Sequence, residues 1–326
     1  PGSLKVVRRI VLNSIQRASV SARVFDSAPL PCFEDGYPCF GGFRQREALS
    51  HETKKCPRAA RARCAAPASA HPWGWHENCY PQRVPIPKIL HQTWKSEVVP
   101  EPLAGFQARW RALHPDFEYR LWTDAQNDAF VRAEFPELYA LYRSFSREIY
   151  RADLVRCLYL RRFGGVYVDL DVEPLRPLHG FLAECGECVL GAEPVAHARK
   201  RQGKASLACN AIMASAPGHP FWRSMLQEIA ERAERGGDPV GVTGPLALDA
   251  AFEKHGRALG VKLAAPDAFF PLPDLDAQSL PLAAGEHKHF RSMRELRLYP
   301  SESLGVHHWA HTWIPEAGMN RGVQRL

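Results

Sequence analysis

Between Arg151 and Pro177 the chain reads RADLVRCLYLRRFGGVYVDLDVEPLRP. The first half has a helical period and carries Asp153 and Arg156 three residues apart, hence on one helix face. Gly164 and Gly165 end that helix. Val166-Tyr167-Val168 then has the β-branched and aromatic character of a strand, and it runs into Asp169-Leu170-Asp171. Strand side chains alternate, so both carboxylates are expected on the same face. Two convergent carboxylates suit a hard cation such as Mg²⁺ or Mn²⁺, which takes oxygen ligands and leaves positions open for phosphates. The bland alternative is an acidic strand end capping the turn that follows.

Asp-x-Asp alone is weak evidence, because a chain with 13 Asp among 326 residues should hold about one such pair by chance. A second copy, Asp274-Leu275-Asp276, is in fact present. It is crowded by Pro271, Pro273 and Pro281 and reads as surface loop. The strand-like run before Asp169 assigns the metal to Asp169 and Asp171.

The regular part begins near Val84. Pro85 to Trp94 reads as a first strand entering a loop, Pro102 to Leu113 as a helix with Phe106, Trp110 and Leu113 inward, and Phe117 to Trp122 as a strand. Asp124 is the expected cap of the next helix. Helical patterns run through Phe145 and again from Ser146 to Phe163. Apolar runs at Cys188–Leu190 and Asn210–Met213 follow, then a helix from Pro220 to about Arg235 and another opening at Thr243-Gly244-Pro245. Alternating strands and helices imply an α/β sandwich with a mostly parallel sheet. In such sheets ligands bind beyond the carboxyl ends of the strands, where Asp169 and Asp171 would lie.

Residues 1 to 82 differ in kind. They hold 12 Lys and Arg against 6 Asp and Glu, whereas the remainder holds 30 against 29. The basic character therefore belongs to this segment, which argues against a nucleic-acid groove on the main domain. Cys32, Cys39, Cys56, Cys64 and Cys79 lie here without zinc-site spacing. Disulfides in an oxidising compartment are the plainer expectation, also for Cys185-x-x-Cys188, whose alternatives are redox chemistry or metal binding. Cys157 is expected to be a buried thiol. The expected organisation is a basic, Cys/Pro-rich stem or appendage over 1–82 and a catalytic domain over 83–326. The chain begins Pro-Gly-Ser without an initiator Met, as a trimmed or tagged chain would, which is compatible with a signal or anchor upstream.

The ordered segments IPKILHQTWK, FEYRLWTD, YRADLVRCLYLRRFGGVYVDLDVEPLRPL, CNAIMASAPGHPFW, TGP and HHWAHTW resemble the DXD-containing sugar-binding region glycosyltransferases, family 32, over about residues 84 to 313. The family includes outer-chain α-1,6-mannosyltransferases and mannosyl-inositol-phosphoceramide synthases. The resemblance implies a GT-A fold and hexosyl transfer with retention of configuration from a UDP- or GDP-hexose, with Mn²⁺ or Mg²⁺, to a glycan or glycolipid acceptor. It also implies the Golgi or secretory-pathway lumen, with a type II membrane tether upstream of this chain. Carried over, Asp169 contacts donor ribose and metal, and Asp171 binds metal directly. Asp153 and Arg156 hold the donor sugar and ribose. His91, Gln92 and Trp94 line the base pocket, Asn210 lies near the transferred sugar, and His308 and His311 approach the metal or diphosphate. Trp313 donates its indole N–H to the diphosphate. The usual Ser before the last Trp is Thr312 here.

For several of these residues the sequence leaves a plain alternative: a surface ion pair for Asp153 and Arg156, core filling for Trp94, an aromatic terminus for the histidines. Retention allows a double displacement, with Glu193 as the candidate nucleophile, or front-face attack, which is favoured here. Two rivals remain. A non-catalytic nucleotide-sugar-binding protein could share the fold. A haloacid-dehalogenase-type phosphohydrolase also starts from a strand ending in Asp-x-Asp, but wants Thr or Val where Glu173 stands.

Overall fold

The computed structural model describes residues 84–275 and 282–314. The expected stem with its five cysteines lies outside the described residues, as does Asp276. In chain order the elements are β1 (Ile89–Thr93), α1 (Leu103–Leu113), β2 (Glu118–Trp122), α2 (Asp124–Glu134), α3 (Pro136–Ser144), α4 (Glu148–Phe163), β3 (Gly165–Val168), β4 (Val172–Pro174), α5 (His179–Glu184) and β5 (Cys188–Ala192). There follow α6 (Val195–Gln202), β6 (Ala208–Ser215), α7 (Phe221–Arg235), α8 (Pro239–Val242), α9 (Pro245–Ala251), β7 (Lys262–Leu263), α10 (Pro266–Phe269), α11 (Ala284–Leu296) and β8 (Gly305–His307).

Six strands form one sheet in the order β2-β1-β3-β6-β5-β7. The pairs β1–β2, β1–β3 and β5–β7 are parallel, while β6 runs antiparallel to both β3 and β5. Five strands therefore point one way and β6 alone the other, the mostly parallel sheet of the expected α/β sandwich. A separate antiparallel pair joins β4 to β8, with Val172 opposite His307.

Period-two alternation sends the sheet's side chains into two cores. On β3, Tyr167 joins a core built with α4, α7 and α9. Val166 and Val168 join the opposite core, with Trp110, Phe269 and Trp309. Helix α4 is the central support: Asp153 through Tyr159, and Leu160 after them, are all buried. Its Asp153 and Arg156 are thus an interior pair, and the surface-pair alternative fails.

The close approach of α4 and β3 requires the two glycines. Gly164 has φ 65° and Gly165 φ 92°. A Cβ on Gly165 would stand 2.6 Å from the Ile89 carbonyl oxygen, and one on Gly164 2.7 Å from Pro217 N. Helix α2 is capped by Thr123, one residue before the expected Asp124. The Thr123 side chain accepts the Gln126 N–H, and the Gln126 side chain accepts the Thr123 N–H. This reciprocal box is worth about 1 kcal/mol. Among the described residues no helix is long and apolar enough to cross a membrane. Cys157, Cys188 and Cys209 are buried thiols outside any disulfide and Cys185 is buried as well, so no disulfide joins Cys185 to Cys188. Burial pushes the Cys157 thiol up to about 12, an inert interior group as expected.

Candidate active site

A cavity of about 550 Å³ opens at the carboxyl ends of β1 and β3. Its wall includes Thr93 and Trp94 after β1, Asp153 and Arg156 from α4, Asp169 and Asp171 after β3, Glu193 after β5, and His307, His311 and Trp313 from the terminal segment. The antiparallel β6 delivers its opposite end, with Cys209 and Asn210, to the same place.

Asp169 and Asp171 converge for a reason other than strand alternation. β3 ends at Val168, and the two aspartates occupy the turn to β4, closed by the Val172 N–H donating to the Asp169 carbonyl (3.1 Å). The β4–β8 pairing then sets His307 against them. One ligand atom from each of Asp169, Asp171 and His307 lies within 4.8 Å of the other two. His307 Nε2 stands 3.2 Å from Asp171 Oδ1, and the Ala310 N–H donates to Asp171 Oδ2 (2.9 Å). Burial pushes the Asp171 carboxyl up, but His307 and the Ala310 N–H overcome this and hold it well below the usual carboxylate range. Burial also works against a charge on His307, and Asp171 reverses the effect, so its pKa is raised. Asp169 goes the other way. Burial, with Asp171 adding repulsion, raises its pKa against the pull of Arg156.

Around this turn runs a fully engaged polar network. Arg156 lies 3.1 Å from Asp153 Oδ1 and 3.2 Å from Asp169 Oδ1, and it donates to the Asn210 carbonyl (3.0 Å). Asp153 also accepts from Asn210 Nδ2 (2.9 Å) and the Thr243 hydroxyl (2.8 Å). The Tyr167 hydroxyl donates to Asp169 Oδ1 (2.6 Å). A buried guanidinium between two carboxylates is costly to break from either side, because the survivor keeps a charge without a partner. The network therefore fixes Asp169 from behind. Thr243 and Tyr167 were missed as positioning groups. The TGP segment held the signal for Thr243.

Other expected residues fall elsewhere. His91 is fully buried away from the cavity: its Nε2 faces the Gly164 carbonyl (3.0 Å), and its Nδ1 accepts the Trp122 indole N–H (3.2 Å). Gln92 is equally buried, with Oε1 accepting from the Tyr119 hydroxyl (2.9 Å). Both point into the layers of the sandwich, so neither lines a base pocket. Trp94 does line the cavity, and its buried indole N–H has no partner among the described residues. His308 points away from the Asp169–Asp171 turn. Its Nε2 faces Glu173 Oε2 (3.1 Å), and its ring stacks on Phe106. One step along a strand reverses the face, and His307 takes the place expected of His308. His311 reaches the cavity wall but bonds Asp274 Oδ2 (2.9 Å) rather than the cluster. Asp274 is itself buried, which corrects the surface-loop reading of its segment. Trp313 lines the cavity, its carbonyl accepting from Arg147 (3.1 Å). Glu193 is buried in the wall, 2.9 Å from His197 Nδ1.

Residues 100–189 match the family described as the glycosyltransferase sugar-binding region containing DXD motif. Inositol phosphoceramide mannosyltransferase 3 of Schizosaccharomyces pombe is 37% identical over 156 residues, 47% of this chain and 40% of that protein. Mannosyl phosphorylinositol ceramide synthase CSH1 of Saccharomyces cerevisiae is 31% identical over 182 residues, 53% of this chain and 44% of that protein. The chain thus spans less than half the length of these relatives. Among solved structures, the PaToxG glycosyltransferase superposes with a TM-score of 0.43 at 16% identity, over 74% of this chain and 87% of that one. Over residues 100–189 the chain is thus similar to the glycosyltransferase sugar-binding region containing the DXD motif, and its curated relatives are named for mannosyl transfer.

Proposed function

We propose that this chain transfers a hexosyl unit, with mannose the first candidate, from a nucleotide-sugar donor to a glycan or glycolipid acceptor, using Mn²⁺ or Mg²⁺ and retaining configuration. The observation that carries the reading is the meeting of Asp169, Asp171 and His307 in the wall of a cavity of about 550 Å³. That volume suits a nucleotide sugar. Two carboxylates and one imidazole form a donor set that Mn²⁺ accepts readily, and the unpartnered Trp94 N–H offers the donor a hydrogen bond. A bound divalent ion supplies positive charge where the diphosphate leaves.

The chain's own residues do the rest. Arg156 holds Asp169 in place, and Asp153, Asn210 and Thr243 form a rigid backing beside the donor sugar. Trp313 and His311 close the wall and keep water from the diphosphate. In the favoured front-face route the acceptor hydroxyl attacks the anomeric carbon, the bond to the diphosphate breaks, and the acceptor's proton passes to the departing phosphate oxygen. The relatives named as mannosyltransferases of inositol phosphoceramide support mannose and a lipid-borne acceptor. The family resemblance supports a setting in the secretory-pathway lumen.

The test is GDP release from GDP-mannose, with UDP-hexoses run in parallel, with and without Mn²⁺. Metal-dependent release supports the reading. A folded chain that releases no nucleotide from any of these donors refutes it, and tight donor binding without release would favour the non-catalytic alternative. The phosphohydrolase rival finds no support in the fold, because Glu173 is a fully buried carboxylate enclosed by Arg109, Arg297 and His308.

A further inference from the structure

Behind Glu193 lies a second polar chain that the Asp169–Asp171 turn and the Arg156 network do not use. His197, on α6, is buried. Its Nδ1 is 2.9 Å from Glu193 Oε2. On the opposite edge of the ring, the Asp274 backbone N–H donates to His197 Nε2 at 2.9 Å. A backbone N–H can only donate, so the Nε2 it meets must carry a lone pair. The proton of His197 therefore sits on Nδ1, where it donates to Glu193. The structure thus assigns both the charge state and the tautomer of this imidazole from geometry alone.

The segment that fixes the tautomer also holds the terminal segment of the cavity wall. The Leu272 carbonyl accepts the Trp309 indole N–H (2.9 Å), and Asp274 Oδ2 pairs with His311 Nε2 (2.9 Å). Trp309 and His311 have φ of 58° and 52°, left-handed values that cost a non-glycine residue roughly 1 kcal/mol or more each. Trp309 packs its ring edge against His197 at 4.6 Å. The stretch from Leu272 to Asp274 thus braces two parts of one wall: Glu193 through His197, and the terminal residues directly.

We propose that His197, its tautomer set by the Asp274 backbone N–H, is a positioning residue that holds the Glu193 carboxylate in the cavity wall for the transfer step. This rests on the glycosyl-transfer reading for its role, though not for its geometry. With Oε2 engaged by a fixed donor, Glu193 presents its remaining acceptor capacity to the cavity in one orientation. It can then orient an acceptor hydroxyl without being free to swing.

Two measurements on the full chain decide the matter. The first is ring-nitrogen NMR on histidine-labelled protein, with His197 assigned through the His197→Gln variant. A proton on Nδ1 is expected near pH 7, and it should persist in Asp274→Ala, which keeps the backbone N–H. A proton on Nε2 overturns the proposal. The second is the kinetics of GDP release from GDP-mannose with Mn²⁺. His197→Asn places an N–H donor where Nδ1 was, and His197→Gln places its amide where Nε2 was and leaves Glu193 unheld. His197→Gln should lower kcat by roughly tenfold or more with donor KM nearly unchanged, and His197→Asn should recover most of it. Equal losses in both variants, tracking their loss of thermal stability, would show that the ring is packing and overturn the proposal. Absence of release by the unaltered chain would instead refute the glycosyl-transfer reading, and the NMR measurement would still decide the geometry.

Discussion

His307 Nε2 stands 3.2 Å from Asp171 Oδ1, while the next imidazole, His308, turns to the buried Glu173. Two adjacent histidines, the last residue of β8 and the one after it, therefore face opposite partners. His307→Asn should weaken Mn²⁺ binding by roughly tenfold or more, the scale of an altered metal environment. His308→Ala should leave Mn²⁺ affinity nearly intact and cost about 1–3 kcal/mol of stability, because it strips a partner from a buried carboxylate. Titration calorimetry with Mn²⁺ and urea unfolding separate the two effects. The reverse pattern would move the metal to the Glu173 side.

Asp171→Asn should abolish nucleotide release, by at least about a hundredfold, with the circular dichroism spectrum unchanged. The isosteric amide still accepts the Ala310 N–H, so local structure is kept while the ligand charge is removed. Residual metal-dependent turnover close to the unaltered level would exclude Asp171 as a ligand.

Acid sensitivity should arise partly from His91. Burial lowers its pKa from 6.5 to about 4, against the pull of the Gly164 carbonyl. Protonation would place a second N–H against the Trp122 indole N–H, which already donates to Nδ1. Between these two values the unfolded chain binds the proton and the folded chain does not. The His91 contribution is therefore intact above pH 6.5 and is lost as pH falls towards 4. The loss at about pH 4.5 is about 2–3 kcal/mol. Urea unfolding near pH 7 and near pH 4.5 should show a smaller difference for His91→Gln than for the unaltered chain, and an identical difference would show that His91 does not titrate this way.

The terminal segment closes the cavity, yet it cannot be removed from Leu304 onward as a simple lid. Such a cut deletes β8, and with it His307 and the buried Val306 and Trp309. Ending the chain after Ala310 spares them and removes only His311 onward. That shorter chain should fold, with a higher donor KM and a lower kcat. Trp313→Phe keeps a ring beside Arg147 and removes one N–H. A loss of roughly 1–2 kcal/mol in kcat/KM is expected if that N–H meets the diphosphate. Unchanged kinetics in both variants would reduce the segment after Ala310 to packing.

Local signals carried much of this architecture. The apolar runs at β1, β5 and β6 and the glycine stop after α4 were visible because period and punctuation are properties of neighbouring residues. Asp169 and Asp171 were visible for the same reason. The choice between His307 and His308 was hidden, because it depends on which of them stands opposite Val172 in a pairing 135 residues long in sequence, given by β4 and β8. Asp274 was hidden likewise. Its proline-flanked segment is irregular as read, and what buries it is His197 and His311, distant in sequence. Thr123 displaced Asp124 as cap because a hydroxyl and a Gln three residues on can satisfy each other's backbone.

The β4–β8 pairing also has a consequence for biosynthesis. The strands of the central sheet are all present once Leu263 has been made, yet His307 is added 44 residues later, and only then can it join Asp169 and Asp171. Chains are made from the N-terminus, so every strand of the sheet is synthesised before the residue that completes the cluster. A chain cut short before His307 would thus carry the Asp-x-Asp sequence without the third member of the cluster. The order of synthesis thus separates the making of the sheet from the completion of the three-residue cluster at its edge.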